Sequence, residues 1–295
     1  MRIKETSTDR VFGIVTYFLL ACIVLICIYP LWLVIIYSVS DPKYVNAGEV
    51  WLLPKGFNLD GYKEVFARDD LMKGYWNTIT QTLVGTALNM ALTIPTAYAL
   101  SKSYLPGRNF FMTMILITMY FSGGLIPSFL NMRNLGLLNK WWVIPLTGAV
   151  SSYNLIVAKT FFTSGIPREL EDAAAIDGCG PASTFFRIVL PLSKAMLGVI
   201  LLYYVVAHWN SYGAALYYMP GSREYWPLQM VIRDLMKDLL TAQDTGDYEM
   251  AAYYSRIYNT IKYAIIVISS VPVLILYPFL QKYFDKGVML GSVKG

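Results

Sequence analysis

Apolar residues are concentrated in six long runs along the 295-residue chain, and shorter polar segments separate them. The runs cover residues 12–38, 78–101, 109–131, 141–162, 190–209 and 259–281. A helix needs about 20 apolar residues to cross the hydrocarbon core of a membrane. Strands of alternating polarity do not repeat along the chain, which excludes a transmembrane barrel. The pattern predicts an all-α membrane protein with six transmembrane helices in a single domain, residues 1–295.

The third run contains residues that interrupt helices. Gly123, Gly124 and Pro127 follow one another closely at the middle of the run. Glycine and proline at these positions predict a bend or a break in the third helix.

The connection between the fourth and fifth runs, residues 163–189, carries four carboxylates, an alanine run and three Gly or Pro breaks after it, at Gly178, Gly180 and Pro181. Pro167 suits the first position of a helix. Gly178 stands where a left-handed residue would end that helix, and Gly180 and Pro181 restart the chain. This segment therefore predicts a helix, a sharp turn and a second helix that together project from the membrane.

The first of these two helices has a face of small residues. Leu170, Ala173, Ala174 and Asp177 recur at the spacing of one helical face. Alanines let the backbone of another protein approach closely, and the neighbouring acids can pair with Arg or Lys across the contact. The alternative interpretation is an ordinary surface loop with an alanine-rich helix.

Composition agrees with a membrane protein, because 56% of the residues are hydrophobic and 15% are charged, with a mean hydropathy of +0.47. The net charge of +5 comes from scattered Lys and Arg that form no basic stripe, which argues against a nucleic-acid partner. The side with the termini and the 163–189 segment has twelve basic and seven acidic residues, whereas the other side has twelve of each. The basic residues are thus equal in number on the two sides, but those on the first side lie in shorter segments with fewer acids, which favours cytoplasmic termini.

Other residues bear on what the chain can do. Six of the seven tryptophans lie on or near the opposite face, as an aromatic belt does. The segment PLQMVIRDLMKDLL, which begins at Pro227, has one apolar helical face and predicts a helix on the outer membrane surface or on a neighbouring subunit. The first apolar run is too long for a cleaved signal peptide, so it is expected to stay as an anchor.

Several chemistries find no support in the residues. The three cysteines lack the spacing of a disulfide framework or a zinc site, and the chain has no Walker A motif. His208 is the single histidine, and its place beside Trp209 favours an interfacial position. No nucleophile–base pair and no metal-ligand spacing is found, so we expect no catalytic residues, no metal and no cofactor on this chain.

The 163–189 segment resembles the cytoplasmic loop of ABC importer permeases. That loop has Glu-Ala-Ala, three residues, Gly, nine residues, Ile, one residue and Leu-Pro; here Asp172-Ala173-Ala174, Gly178, Ile188 and Leu190-Pro191 have the same spacing. Asp172 replaces the usual Glu, and Glu171 precedes it. Which of the two carboxylates makes the contact of the family stays open.

The resemblance extends over essentially the whole chain. The segments AYALSKSYLPGRNFF, MYFSGGLIPSFL, LGLLNKWW and QKYFDKGVMLGSVKG are similar to the second permease subunit of maltose-type carbohydrate importers, in the branch that serves complex oligosaccharides.

This resemblance implies a coupling helix that docks on a separate ATPase. The residues in that role would be Glu171, Asp172, Ala173, Ala174, Asp177 and Gly178. The tail, residues 282–295, would contact the ATPase through Gly291, Ser292, Val293, Lys294 and Gly295. The implied partners are a second, related permease, an ATPase dimer that binds ATP and Mg²⁺, and an extracytoplasmic sugar-binding protein, in a bacterial cytoplasmic membrane.

A path for an oligosaccharide needs hydrogen-bonding groups and flat apolar faces at membrane depth. Candidates in the third, fourth and fifth runs are Tyr120, Ser122, Tyr153, Asn154 and Tyr204, with Asn89, Thr93, Tyr203 and His208 as further ones. The alternative interpretation is that these side chains serve helix packing.

Two other functions remain open from the sequence. The loop pattern alone also fits an ABC permease for a solute other than a sugar. An ion-coupled carrier is less favoured, because no Asp, Glu, Lys or Arg lies well inside the six runs.

Overall fold

The computed structural model describes residues 7–242, 258, 261–275 and 278. This part of the chain is mostly helical, and its only extended pairing is an isolated bridge between Ser40 and Phe57. The prediction of a mostly helical protein is therefore confirmed for the described residues.

Fifteen helices of very different length make up the described part, with a 3₁₀ turn at Arg223–Tyr225. They are α1 Ser7–Ser38, α2 Pro42–Asn46, α3 Asp60–Ala67, α4 Asp69–Ser101, α5 Arg108–Tyr120, α6 Leu125–Asn134, α7 Val143–Leu146, α8 Ser152–Ser164, α9 Arg168–Ile176, α10 Pro181–Thr184, α11 Leu190–Leu192, α12 Lys194–Trp209, α13 Gly213–Tyr218, α14 Leu228–Ala242 and α15 Ile261–Ile275. A π-helical turn, Phe185–Val189, joins α10 to α11.

Two of the described helices are long and apolar enough to cross a membrane alone, namely Asp9–Ser38 within α1 and Asp69–Ser101. The count rises to four if each of two bent helix pairs forms one span. The prediction of six spans is therefore not confirmed among the residues that the structure describes.

The third and fourth apolar runs are not continuous helices. Helices α5 and α6 meet at an angle of 119° across residues 121–124, as the Gly-Gly-x-x-Pro signal indicated. The fourth run divides into α7 and α8, and the chain between them, residues 147–151, is not helical. Gly148 has a φ of +78° there, which glycine adopts without strain.

The fifth run also differs from its predicted bounds. The segment Pro181–Leu192 meets α12 at 82°, so the fifth run begins with a bend at Ser193 and not as a straight helix. In the sixth run, predicted at 259–281, the structure describes α15 and residue 278, and the bounds of this run stay a prediction.

The described residues divide into two compact units. One contains the described residues within 1–69 and 234–271, and the other contains those within 70–233 and 272–295. The core of the second unit packs α4, α8, α12 and the π-helical turn against one another. Its buried residues are Ile94, Ala97, Leu100, Leu155, Ala158, Phe162, Ile166, Phe185, Val189, Met196, Ile200 and Tyr204. The single domain for 1–295 stays a prediction.

Helix α14 corrects the prediction of an interfacial helix. Leu228 and Val231, on its apolar face, are buried, and both lie against Gly74 of α4. A Cβ at Gly74 would stand 2.9 Å from a methyl carbon of Val231 and 3.2 Å from the Cα of Leu228. Leu228 and Val231 are thus covered by the chain itself, because a glycine at position 74 lets the two helices approach closely.

Candidate functional site

Helix α9 is the first helix of the polar 163–189 segment. Pro167 precedes it as the N-cap with φ −60° and ψ 133°, so the helix begins at Arg168, one residue later than predicted. Glu169 and Glu171 lie in its first turn, where the positive end of the helix dipole favours carboxylates.

The C-terminal end of α9 follows the prediction. Gly178 has a φ of +77°, and its N–H donates to the carbonyl of Ala175 at 3.1 Å. The N–H of Cys179 donates to the carbonyl of Ala174 at 2.9 Å, which completes a Schellman motif. A residue with a Cβ would be strained at Gly178, so the turn that reverses the chain depends on this glycine.

The outward face of α9 carries both acidic and apolar side chains. Glu169, Asp172, Ala173 and Ile176 are all exposed, and their spacing places them on one side of the helix. Ile176 is 87% exposed, which is unusual for a large apolar residue on a polar helix. Sequence reasoning missed Ile176, although its spacing from Ala173 and Asp172 was a signal.

The predicted contact face is corrected at one member. Leu170, Ala173 and Asp177 are exposed, but Ala174 is 3% exposed and packs toward the interior of the chain. Helix α9 contacts the rest of the molecule through Ala174. Its exposed face therefore contains Asp172 and Ile176 and does not contain Ala174.

An internal ion pair fixes α9 to the end of α4. Both carboxylate oxygens of Glu171 accept hydrogen bonds from the ammonium group of Lys102, and the two side chains are only 22% and 12% exposed. The Lys102 nitrogen also lies 4.1 Å from the ring centroid of Tyr98, a cation–π distance. The Tyr98 hydroxyl donates to the same carboxylate at 3.5 Å.

The ring of Tyr98 extends this connection to two further helices. Its centroid lies 5.6 Å from that of Phe162 on α8 and 4.8 Å from that of Phe185 in the π-helical turn. The Tyr98 side chain therefore connects α9 with α4, α8 and the π-helical turn. Sequence reasoning did not identify Lys102 or Tyr98, because their partners lie about 70 residues away in the chain.

The two neighbouring carboxylates have different environments. Glu171 is held by Lys102 inside the chain, whereas Asp172 is exposed on the outer face of α9. Asp172 is therefore accessible to another protein without breaking the internal ion pair.

A second polar region surrounds the break between α7 and α8. The side-chain amide of Asn89 on α4 donates to the carbonyls of Gly148 at 3.0 Å and Ala149 at 2.7 Å. The hydroxyl of Tyr204 on α12 accepts from the N–H of Ser151 at 3.1 Å. These bonds satisfy backbone groups that helix geometry leaves free, and such groups are costly without partners in a membrane.

His208 completes this polar region, and its interfacial position stays a prediction. Its Nε2 lies 2.6 Å from Oδ1 of Asn89. Because the Asn89 amide nitrogen donates to carbonyls, Oδ1 is the acceptor and the hydrogen-bond network assigns the proton to Nε2. A Cβ at Gly85 would stand 2.5 Å from the imidazole ring, so this glycine provides the space for His208.

Three of the five predicted path residues are exposed. Tyr120 is 76% exposed at the end of α5, and Ser122 lies in the break after it, where its hydroxyl accepts from the N–H of Gly124 at 3.2 Å. Tyr153 is 53% exposed, and its ring centroid lies 6.3 Å from that of Tyr203.

The other two predicted path residues are buried within the chain. Asn154 is 5% exposed and Tyr204 is 3% exposed. The Tyr204 hydroxyl also lies 2.7 Å from the hydroxyl of Thr93, so it makes two hydrogen bonds within the chain. The role of Asn154 and Tyr204 in a solute path stays a prediction.

The predicted ATPase-contacting tail residues, Gly291, Ser292, Val293, Lys294 and Gly295, lie outside the described residues.

Comparison with known proteins gives a family match over most of the chain. The profile of the family described as "Binding-protein-dependent transport system inner membrane component" matches residues 71–290. The polygalacturonan/rhamnogalacturonan transport system permease protein YtcP of Bacillus subtilis is 40% identical over 288 residues, which cover 97% of this chain and 99% of the relative. The protein LplC of the same organism is 39% identical over 293 residues, covering 99% and 97%.

A solved structure is similar over nearly the same length. It is the crystal structure of a bacterial ABC transporter involved in the import of the acidic polysaccharide alginate. One of its chains is 34% identical to this one with a TM-score of 0.84, and the match covers 96% of this chain and 99% of that chain.

Proposed function

The chain belongs to the family of binding-protein-dependent transport system inner membrane components, and from this premise we propose that it forms half of the translocation path of an ATP-driven oligosaccharide importer. It is a membrane permease subunit, not an enzyme, and the family has no cofactor of its own. ATP and Mg²⁺ would be bound by a separate ATPase subunit.

An oligosaccharide is the proposed solute because relatives over nearly the whole chain are named for carbohydrates. YtcP is named for polygalacturonan and rhamnogalacturonan, and the structural neighbour belongs to an importer of alginate. No feature of the described residues favours a non-sugar solute or an ion gradient.

Exposed aromatic and hydroxyl groups support the proposed path. Tyr120 and Tyr153 offer flat ring faces on which a sugar ring can stack, and Ser122 offers a hydroxyl in the break between α5 and α6. We assign Asn154 and Tyr204 a different part in this proposal, because their burial suits them to hold the break between α7 and α8 in shape.

The proposed coupling contact is the outward face of α9. Asp172 supplies a free carboxylate for a basic residue of the ATPase, Ala173 allows close approach of its backbone, and Ile176 offers an apolar contact at the centre of the interface. This exposed face is the observation that carries the proposal. Closure of the ATPase dimer would move α9, and nucleotide would thereby shift the population of inward-facing and outward-facing states.

The ion pair between Glu171 and Lys102 supports transmission of this movement. Helix α9 would move together with the end of α4, because the ion pair and the Tyr98 ring contacts join the two. Glu171 is thus a positioning residue in the proposal, and Asp172 is the residue that contacts the ATPase.

The remaining parts of the proposal rest on the resemblance to carbohydrate importers. They are a second, related permease, an ATPase dimer, an extracytoplasmic sugar-binding protein, cytoplasmic termini and a tail whose last five residues contact the ATPase.

Uptake and ATP hydrolysis by the purified complex in lipid vesicles test the proposal. Labelled oligogalacturonate and a neutral maltooligosaccharide of equal length are compared for the unaltered protein, Asp172→Lys and Glu64→Lys. Glu64 is an exposed acid on α3, so its reversal matches the change in charge at a site that the proposal does not use. We expect Asp172→Lys to lose uptake and stimulated ATP hydrolysis, and Glu64→Lys to keep both.

Three outcomes would contradict parts of this account. Uptake that continues without ATP hydrolysis would exclude ATP-driven import. An unchanged Asp172→Lys complex would exclude the α9 contact as assigned. Failure to import either sugar, in a complex whose ATPase still responds to its binding protein, would exclude an oligosaccharide of these two classes.

A further inference from the structure

The segment after α1 forms a closed loop whose two ends meet. Asp41 donates its N–H to the carbonyl of Lys55 at 3.1 Å, and Asn58 donates to the carbonyl of Val39 at 2.9 Å. The isolated bridge between Ser40 and Phe57 lies at the same point. The chain therefore returns, seventeen residues later, to the end of the helix that it left.

Internal contacts hold this loop in one conformation. Its short helix α2 is capped by the Asp41 carboxylate, which accepts from the N–H of Lys43 at 2.8 Å. The Trp51 indole donates to the carbonyl of Gly48 at 2.8 Å. Gly56, with a φ of +61°, closes the loop where a Cβ would stand 3.0 Å from both Asp41 and the Tyr44 ring. The side chains that the loop exposes are thus presented by a defined backbone.

Those exposed side chains are large and apolar. Trp51 is 67% exposed, Leu52 66%, Leu53 74% and Phe57 72%. Four such residues within seven positions form an apolar patch, which we call the apolar loop (residues 51–57). Contiguous apolar patches of this kind on a protein surface mark contact with a membrane or another macromolecule.

A hydrogen bond places the apolar loop beside α1. The indole N–H of Trp32 donates to the carbonyl of Leu52 at 2.9 Å. Trp32 lies six residues before the end of α1 at Ser38, or about 9 Å along the axis at 1.5 Å per residue. The loop therefore folds back along the side of the helix and does not extend away from its end.

The helix beside it is the more apolar of the two described helices that could cross a membrane alone. Within its apolar window only 6% of the residues are buried inside the molecule, so its sides are available to lipid. The charges near the loop are compensated, because Lys55 and Glu49 form an ion pair at 3.2 Å with half of each side chain exposed. A long Lys side chain can extend toward the headgroups from such a position.

We propose that the apolar loop inserts into the phospholipid bilayer, at the headgroup–acyl boundary around the Ser38 end of α1. Lipid then covers the exposed apolar side chains of the loop, Trp51, Leu52, Leu53 and Phe57. The hydrogen bond from Trp32 to Leu52 holds the loop beside α1 at that depth. Aromatic side chains favour this boundary because they combine an apolar ring with a polar group. The inference rests on the membership of the chain in a family of inner membrane components and is independent of the solute.

Nitroxide accessibility measures this insertion directly. The purified complex contains the full-length chain with Cys22, Cys27 and Cys179 replaced. It is placed in phospholipid nanodiscs. A spin label at Leu53→Cys is compared with one at Lys43→Cys. Lys43 is an exposed polar residue of the closed loop that lies outside the apolar loop. Power saturation with oxygen and with a water-soluble nickel chelate gives the accessibility of each label to lipid and to water.

We expect the oxygen-to-nickel accessibility ratio to be severalfold higher at position 53 than at position 43. Adding Trp32→Phe, which removes the hydrogen bond to Leu52, is expected to lower the ratio at position 53. Equal ratios at positions 53 and 43 would overturn the proposal, because the loop would then lie in water. Poor access of both reagents at position 53 would also overturn it, because protein would then cover the loop.

Discussion

Two polar regions of this apolar chain have opposite relations to their surroundings. On the outer face of α9, Asp172 is exposed and stands beside the exposed Ala173 and Ile176. Around the break between α7 and α8, Asn89 is fully buried and bonds to two carbonyls and an imidazole. Both regions are conspicuous in the sequence because polar residues are rare in this apolar chain. Only the outer face of α9 is accessible to another molecule.

The difference separates a side chain that holds the fold from one that is available to a partner. A buried polar group contributes through hydrogen bonds that its removal leaves unmade, so its substitution acts on stability. An exposed group on a rigid helix contributes little to stability, and its substitution acts on the contact it makes. Stability and transport should therefore respond to different residues in the two regions.

Asn89→Leu is expected to have the largest effect on stability. It leaves the carbonyls of Gly148 and Ala149 and the Nε2–H of His208 without partners. At about 1–3 kcal/mol for each buried group, we expect a loss of about 3 kcal/mol or more. Thermal unfolding in detergent micelles measures this loss, with Asn210→Leu as the control because Asn210 is exposed and its side-chain amide donates to the carbonyl of Val206 on the preceding helix at 3.0 Å. Equal shifts in the two variants would contradict the structural role of Asn89.

Lys102→Met is expected to have the next largest effect on stability and also to lower transport. It leaves the Glu171 carboxylate partly buried without its cation, for which we expect a loss of about 2 kcal/mol. It also loosens α9 from α4, so uptake per ATP hydrolysed should fall. Lys63→Met is the matched control, because its ion pair with Asp60 is 77% and 58% exposed and should contribute less than about 0.5 kcal/mol.

The exchange of charges sharpens this second prediction. Lys102→Glu combined with Glu171→Lys keeps an ion pair at the same place, so it should recover part of the lost stability and of the uptake per ATP. If the double variant is no better than Lys102→Met, the ion pair is not what joins α9 to α4.

Tyr204→Phe and Tyr153→Phe are expected to have the smallest effects and to separate the two tyrosines. Removing the Tyr204 hydroxyl leaves the N–H of Ser151 unpaired and should cost about 1 kcal/mol of stability without changing the KM for the sugar. Tyr153 is half exposed, so its variant should keep full stability. Thermal unfolding and uptake kinetics on both variants test this, and an equal loss of stability would contradict the assignment.

Features set by neighbouring residues were predictable from the sequence. The left-handed conformation of Gly178 and the break near Gly123 and Gly124 follow from glycine chemistry at the position itself. The helix around Asp172-Ala173-Ala174 was likewise predicted from local residue types.

Features set by distant residues were not predictable in the same way. The break between α7 and α8 is stabilised by Asn89 and Tyr204 from other helices, and no local signal marks it as strongly as a Gly-Gly pair. The choice between Glu171 and Asp172 depended on Lys102, and the burial of the apolar face of α14 depended on Gly74. Each of these outcomes needs the three-dimensional packing of segments far apart in the chain.

Cross-linking from the outer face of α9 measures directly whether this helix contacts the ATPase subunit. A thiol-specific photo-crosslinker is attached at Ile176→Cys in the purified complex with the native cysteines replaced, and at Thr163→Cys, an exposed position at the end of α8, as the control. We expect a strong cross-link from position 176 to the ATPase subunit, with a yield that changes with nucleotide, and a much weaker one from position 163. If position 176 gives no cross-link to the ATPase in a complex that hydrolyses ATP, α9 is not the coupling helix.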